Sequence, residues 1–455
     1  MRVRASKAVA ALAAMALVLA ACGDDEPEET EEPTEEPAEE EEAEPEEEPA
    51  EEPEEEPAEE EEEVEEETEE AAGDGLTIGY ILPETGQLAF LGPPMITGIQ
   101  LAVEQVNEAG GVLGEEVTLL SADEAGDGGI AAEEASRLLA AGVDAIVGAA
   151  ATGMTLAIID QVTGAGVVQC SPSNTGPALT DQPDNGGFYF RTAPTDLMQG
   201  PALADAILAE GFATAAFAAR GDDYGSGLLD ATTEAYEAAG GTVTYADTFD
   251  AEAATFDSVV EDLVNSGADA YVLITFAEGG QIVQGLLGAG VDPGQMFGAD
   301  GIAESSFIEE VDPDNPNILD GMTFTAPSRD STPEFEEAFA AFAPDVEDRL
   351  FAPQSFDCGN LITLAAVAAG STDSAAIRDQ MIPVTVGDNV CTNFAECVEF
   401  LEAGETIAYQ SATGDGPAFN IVREGSGEPS RALYDISRWV DGEFTVIDQR
   451  SATID

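Results

Sequence analysis

DAIVGAAATGMTLAIIDQVTGAGVVQCSPSNTGPALT, residues 144–180, reads as two consecutive β-α turns. The apolar run Ala145, Ile146, Val147 stops at Gly148 and a small-residue loop holding Thr152 and Thr155. A helical pattern of Leu156, Ile158, Ile159 and Val162 follows. A second apolar pair, Val167 and Val168, stops at the hydroxyl-rich loop Ser171-Pro172-Ser173-Asn174-Thr175. In a parallel α/β sheet both loops fall at the carboxyl ends of neighbouring strands, where open sheets bind ligands. Their hydroxyls, with the amides that open the following helix, suit an anion. The two loops are therefore expected to hold a ligand carboxylate. Helix capping is the other role open to Thr152 and Ser173.

The same unit repeats outward from this stretch. Strand-like runs at 76–82, 117–120, 145–147 and 166–170 alternate with helical patterns such as 96–106 and 130–139. Gly110-Gly111 closes the first of these helices. An extended segment at 188–192 leads to Ala193-Pro194-Thr195, a crossing point. A second series then runs through strands at 215–219, 243–249 and 270–276, with helices at 227–239, near 259–264 and at 281–288. It closes with Gly298-Ala299-Asp300-Gly301 and a strand at 322–326. The reading is α/β: two parallel-sheet lobes joined by several crossings, a hinged clamshell able to shut on a ligand.

Upstream, Arg2, Arg4 and Lys7 precede an apolar run at 8–21 that is too short to span a bilayer comfortably. It ends in Leu19-Ala20-Ala21-Cys22-Gly23, which looks like the lipobox of bacterial lipoproteins. That likeness implies a signal peptide at 1–21 and acylation of Cys22, each buried methylene adding about 0.8 kcal/mol of membrane affinity. Residues 24–72 are almost entirely Glu, Pro, Ala and Thr, with no aromatic residue and only Val64 to bury. Such a segment cannot build a core and stays extended, so 22–73 is read as a lipidated Cys plus a disordered tether reaching on the order of 160 Å.

The formal net charge is −81, and beyond Lys7 the only cations are ten Arg. No basic patch exists for nucleic acid, which is excluded as a partner. His is absent, removing His triads, His acids and His metal ligands together. No GxSxG elbow, metal cluster or CxxC motif occurs, so neither an enzyme nor a metal or other cofactor is expected. After Cys22 four cysteines remain, allowing three pairings. Cys391 and Cys397, six apart, are expected to pair, leaving Cys170 for Cys358. Asp123, Glu124 and Asp127 lack calcium-loop spacing and read as a polar β-α connection. Arg191 reads as a structural salt bridge and Trp439 as local packing beside a hairpin signal at 440–443.

Several pieces now stand in a telling order: Ile78-Gly79-Tyr80 with Thr85-Gly86, Asn107-Glu108-Ala109-Gly110-Gly111, Gly148 with Thr155, and Ser171-Pro172-Ser173-Asn174-Thr175. Phe190-Arg191-Thr192, Asp223-Tyr224-Gly225-Ser226-Gly227 and Gly298-Ala299-Asp300-Gly301 follow. Over residues 76–455 the set resembles the branched-chain amino acid binding proteins of ABC importers, within the type I periplasmic binding proteins. The resemblance implies that the Thr152 hydroxyl binds a ligand carboxylate, completed by Ser173 through its backbone and by Thr175. It implies that Tyr224 closes on the ligand backbone from the other lobe. Asp300 falls where an acid, more usually Glu, pairs with the α-ammonium. Thr275 or Phe276 falls near a further contact, and Phe90 and Leu91 fall where an apolar group meets the ligand side chain. The implied boundaries are 74–194 with 327–408 for the N-terminal lobe and 195–326 with 409–455 for the C-terminal lobe. The implied role is a lipid-anchored, monomeric receptor delivering an amino acid to the membrane subunits of an ABC permease. An amide, urea or aromatic carboxylate ligand, or a sensor role, is the alternative.

Overall fold

The computed structural model describes residues 75–180, 186–414, 416, 421–423 and 426–454. The expected signal peptide, Cys22 and the acidic tether lie outside the described residues.

The first lobe opens with β1 (Thr77–Ile81), all of whose residues are buried, as befits a parallel strand covered on both faces. There follow α1 (Gly92–Glu108), β2 (Thr118–Leu120), α2 (Gly128–Ala141), β3 (Ala145–Gly148), α3 (Thr152–Gly164), β4 (Val168–Ser171) and β5 (Tyr189–Arg191). Local chemistry marks the ends. Helix α1 carries prolines in its first turn, where amides need no helical partner. Asp127 caps α2, accepting from the amides of Gly129 at 2.7 Å and Ile130 at 3.0 Å. Gly142, at φ 85°, ends it in the left-handed conformation.

The chain crosses to a second lobe made of α4 (Asp196–Ala209), β6 (Thr214–Arg220), α5 (Asp223–Ala238), β7 (Thr242–Phe249) and α6 (Asp257–Asn265). It continues through β8 (Ala270–Ile274), α7 (Gly279–Gly288), β9 (Met296–Gly298), α8 (Phe307–Val311) and β10 (Thr323–Pro327). It then returns with α9 (Pro333–Phe342), α10 (Ala352–Ala369), α11 (Ser374–Met381), β11 (Asn389–Cys391), α12 (Phe394–Glu402) and β12 (Ile407–Tyr409). The last four strands are β13 (Ile421–Arg423), β14 (Ser426–Glu428), β15 (Arg431–Val440) and β16 (Glu443–Thr453).

The sheet orders are β2-β1-β3-β4-β5-β14-β13 and β7-β6-β8-β9-β10-β15-β16, so the first five strands of the two sheets match in order, while the sixth runs parallel to β5 in one and antiparallel to β10 in the other. In each, the parallel strands expected from periodicity are extended by a hairpin. The hairpin signal at 440–443 is a tight turn with Asp441 at φ 54° and Gly442 at φ 78°, both on the side that suits a twisted ribbon. One expected boundary is corrected. Residues 409–455 do not all belong to the second lobe: β14 pairs with β5 through Gly427 and Phe190, and Glu428 is ion-paired with Arg191. The final crossing therefore lies at residues 429–430.

Both disulfides have the expected pairing. Cys170 of β4 is bonded to Cys358 of α10, with Cα atoms 5.8 Å apart, welding that helix to the first sheet. Cys391 is bonded to Cys397, tying β11 to α12. Among the described residues no helix is long and apolar enough to cross a membrane.

Candidate ligand-binding site

The lobes meet in a small cavity lined from both sides. Every segment lining it except Phe351 follows the carboxyl end of a strand, at equivalent places in the two sheets. From the first lobe Leu88 and Leu91 follow β1, Ala150, Ala151 and Thr152 follow β3, and Ser173 and Thr175 follow β4. From the second, Tyr224 follows β6, Phe276 follows β8, and Asp300 with Gly301 follows β9. This is where open α/β sheets place ligands.

The first-lobe end is a rigid array of hydroxyls and amides. Thr152 is not a cap: the N-cap of α3 is Ala151, and the Thr152 hydroxyl accepts from the Gly176 amide at 3.2 Å. Ser173 donates to the Ala150 carbonyl at 3.1 Å, and Asn174 donates to the same carbonyl at 2.7 Å. Ser171 donates to the Ala149 carbonyl at 2.7 Å and accepts from the Asn174 amide at 3.1 Å. The two loops expected to act together are thus stitched together. Beneath them Arg191, fully buried, donates to the carbonyls of Asn174 at 3.2 Å and Gly176 at 3.0 Å while pairing with Glu428. Its reading as a structural salt bridge holds.

The second-lobe end carries the acid. Asp300 is buried, and its Oδ1 accepts from the Tyr224 hydroxyl at 2.7 Å and from the Gln199 side-chain amide at 3.0 Å. Burial raises its pKa, opposed by those two donors. Tyr224 also accepts from the Gly301 amide at 3.3 Å and stacks on Phe276, ring centroids 5.2 Å apart. Burial, with the Asp300 charge next in weight, pushes the Tyr224 phenol well up. Phe276 lines the cavity, whereas Thr275 is buried away from it. Leu91 lines it too, while Phe90 faces a neighbouring cavity between the lobes.

Several residues escaped the sequence reading. Glu124, taken for part of a polar connection, is wholly buried and accepts from the amides of Ala150 at 2.6 Å and Ala151 at 3.3 Å. It holds the loop between β3 and α3 from behind, and burial pushes its carboxyl up to about 8. Only its companions fit the bland reading: Asp123 ties Thr85 and Asp127 caps α2. Arg220 lies 3.6 Å over the Phe276 ring, donates to Glu278 at 3.0 Å and reaches across the lobes to Gln87 at 3.1 Å. Phe351 lines the cavity from the start of α10. Local sequence carries no signal for these roles, because each arises from a partner far along the chain.

Hydroxyls and amides of one lobe and a buried carboxylate of the other line a partly apolar cavity that can bind a small polar solute. The periplasmic binding protein family matches residues 75–396. The Leu/Ile/Val-binding protein homolog 3 of Brucella melitensis is 28% identical over 375 residues, 81% of this chain and 92% of that protein. The leucine-, isoleucine-, valine-, threonine- and alanine-binding protein of Pseudomonas aeruginosa is 26% identical, covering 68% of this chain and 83% of that protein. The structure of the Streptococcus pneumoniae branched-chain amino acid binding protein LivJ with isoleucine aligns with a TM-score of 0.66 at 22% identity, covering 84% of this chain and 100% of that one. The fold is therefore the type I clamshell. With the family match spanning more than half of the sequence, this chain belongs to the periplasmic binding protein family, a family of substrate-binding proteins and not of enzymes.

Proposed function

We propose that the chain is an extracytoplasmic receptor for an aliphatic amino acid of the leucine, isoleucine and valine type, which it presents to an ABC permease. The observation that supports this best is the lining of the cavity. Thr152, Ser173 and Thr175 line it from the first lobe and the buried acid Asp300 from the second, with Leu88, Leu91, Phe276 and Phe351 as apolar lining. A zwitterion needs donors for its carboxylate and an acid for its ammonium, since either charge left unpaired in a closed cleft is costly. The two sets sit on different lobes, so both are satisfied only when the cleft is shut. Ligand then shifts an open–closed equilibrium, and the closed form is what a permease recognises. The names of the relatives, Leu/Ile/Val-binding proteins, point the same way. In this reading lipid on Cys22 holds a monomer to the membrane through the acidic tether.

A thermal-shift screen of the full chain tests the reading. A solute at a hundredfold its Kd adds about 2.7 kcal/mol of stability. Leucine, isoleucine or valine is expected to raise the Tm, and Asp300→Ala to abolish the rise. Stabilisation only by solutes without an ammonium, such as 4-hydroxybenzoate, urea or short amides, would remove Asp300 from its role and change the ligand class.

A sensor role is the second reading. It is favoured by similarity to the chemotactic signal transduction system substrate-binding protein BasB of Halobacterium salinarum, 25% identical over 76% of this chain and 83% of that protein. Neighbouring genes for permease and ATPase subunits support the importer; a neighbouring membrane signalling receptor supports the sensor.

A further inference from the structure

Beside the cavity wall stands a cation that touches both lobes. Arg220 ends β6, and its side chain is only 11% exposed. Neighbouring residues in the chain fix where it lies. Asp222 is the N-cap of α5: one carboxylate oxygen accepts from the Gly225 amide at 2.9 Å, and the other accepts from the Arg220 Nε. Gly225 lets the first turn of α5 lie on the arginine stem. A Cβ there would fall 2.7 Å from the Arg220 Cγ and 2.1 Å from its carbonyl oxygen.

The guanidinium joins groups with different places in the cleft. Its central carbon lies 3.6 Å from the centre of the Phe276 ring, which lines the cavity and stacks on Tyr224. Nη1 donates to a Glu278 oxygen at 3.0 Å, and the same oxygen accepts from the Phe276 amide at 3.2 Å. Ring, acid and cation therefore form one unit of the second lobe. Nη1 also donates to the Gln87 side-chain oxygen at 3.1 Å. Gln87 belongs to the first lobe, in the loop after β1, and precedes the cavity residue Leu88. Of these contacts the Gln87 bond alone spans the lobes.

The chemistry at position 87 suits a bond that has to open as well as close. Asp222 and Glu278 already balance the arginine within its own lobe. A third carboxylate facing it would add repulsion, whereas an amide oxygen accepts a charge-assisted bond and adds no charge. When the lobes part, Glu278 keeps its cation, so the open form is not left with an unpaired buried charge.

We propose that Arg220 is a positioning residue that couples the cavity wall to closure: it backs the Phe276 ring and latches to Gln87 when the lobes shut. This rests on the receptor reading above, in which closure follows binding, and not on which solute is bound. The latch forms after the solute has entered. Its loss should therefore show in how fast solute leaves, not in how fast it arrives.

A double-mutant cycle on the full chain tests this, with leucine affinity read by calorimetry and release by rapid filtration of radiolabelled leucine. The unaltered chain, Gln87→Ala, Arg220→Met and the double variant are compared. Gln87→Ala is expected to speed leucine release about tenfold, as loss of a hydrogen bond to a charged group would, with association unchanged. Arg220→Met is expected to weaken binding at least as much, and Gln87→Ala to add nothing in its presence. An arginine that only supports the fold would not produce that non-additivity. Release from Gln87→Ala at the unaltered rate would overturn the proposal, and so would an equal effect of Gln87→Ala in the Arg220→Met background. Where Arg220→Met fails to fold because Glu278 has lost its cation, release from Gln87→Ala decides alone. If the unaltered chain binds 4-hydroxybenzoate and not leucine, the amino-acid reading fails, and the same comparison with 4-hydroxybenzoate tests the latch.

Discussion

Asp300 gathers two neutral donors, Tyr224 and Gln199, and no ion pair among the described residues. Removing one donor should be felt chiefly when the acid is ionised against a ligand. Tyr224→Phe deletes the 2.7 Å bond and leaves Gln199 alone on that oxygen. A lost hydrogen bond to a charged group costs about 1.5–3 kcal/mol, so leucine should bind roughly 10- to 100-fold more weakly by calorimetry. An unchanged Kd would separate Tyr224 from the site. Glu124 offers a sharper contrast. Glu124→Ala leaves the amides of Ala150 and Ala151 buried without acceptors, whereas Glu124→Gln keeps one carbonyl acceptor in place. Thermal melting should show the Ala variant less stable by about 1–3 kcal/mol and the Gln variant less affected. Equal losses would mean that volume, not hydrogen bonding, matters there. The sequence could point to Thr152, Ser173 and Thr175 because hydroxyls straight after apolar strand ends sit at a sheet's binding edge. It could not point to Glu124, whose run ADEAGDGG is polar and acquires burial only when the β3 loop folds over it.

Among the elements, α5 carries the closure surface. Gly227 faces Pro177 across the cleft so closely that a Cβ there would lie 2.6 Å from the Pro177 Cδ. Gly227→Val should therefore wedge the lobes apart while leaving each sheet intact. X-ray scattering should show the ligand-induced contraction reduced and leucine affinity lowered, with a Tm close to that of the unaltered chain. Full contraction in the variant would show that closure does not pass through this contact. The disulfides differ in what they restrain. Bridging residues 188 apart, Cys170–Cys358 closes a long loop, and by chain entropy its loss should cost about 5 kcal/mol against about 2 for Cys391–Cys397. Melting of the paired Ser variants would rank them, and a larger loss from the short loop would contradict the entropic account. Elements in the repeating β-α stretch were legible because burial on both faces makes central parallel strands such as β1, β3 and β8 continuous apolar runs. The strands β13 and β14 were not, since the pairing that places them joins residues more than two hundred apart.

At the scale of the whole molecule, burial of acids sets an unusual response to pH. Glu124 and Glu304 are pushed up to about 8 and Asp357 to about 6, each chiefly by desolvation, from 4.5, 4.5 and 3.8. Their sites are spread over the fold: Glu124 behind the loop between β3 and α3, Glu304 in the neighbouring interlobe cavity, and Asp357 on α10 holding the Ala412 amide at 3.0 Å. A raised acid keeps its proton in the folded state at a pH where the unfolded chain has lost it. The native protein thus binds more protons than the unfolded chain between about pH 4 and 8, and stability falls as pH rises through that window. These contributions are fully present below the unfolded values near 4 and are gone above about 8. The exposed acids, part of a formal charge of −81, repel one another in the same direction, but 1 M salt shortens screening to about 3 Å and removes most of that share. Melting measured from pH 5 to 8 in 1 M salt should still show the Tm declining with pH. Glu124→Gln combined with Glu304→Gln should flatten the decline, because neither amide titrates. A Tm that climbs toward pH 8 in high salt would mean that these carboxyls are ionised in the fold, with their burial compensated by donors not yet recognised.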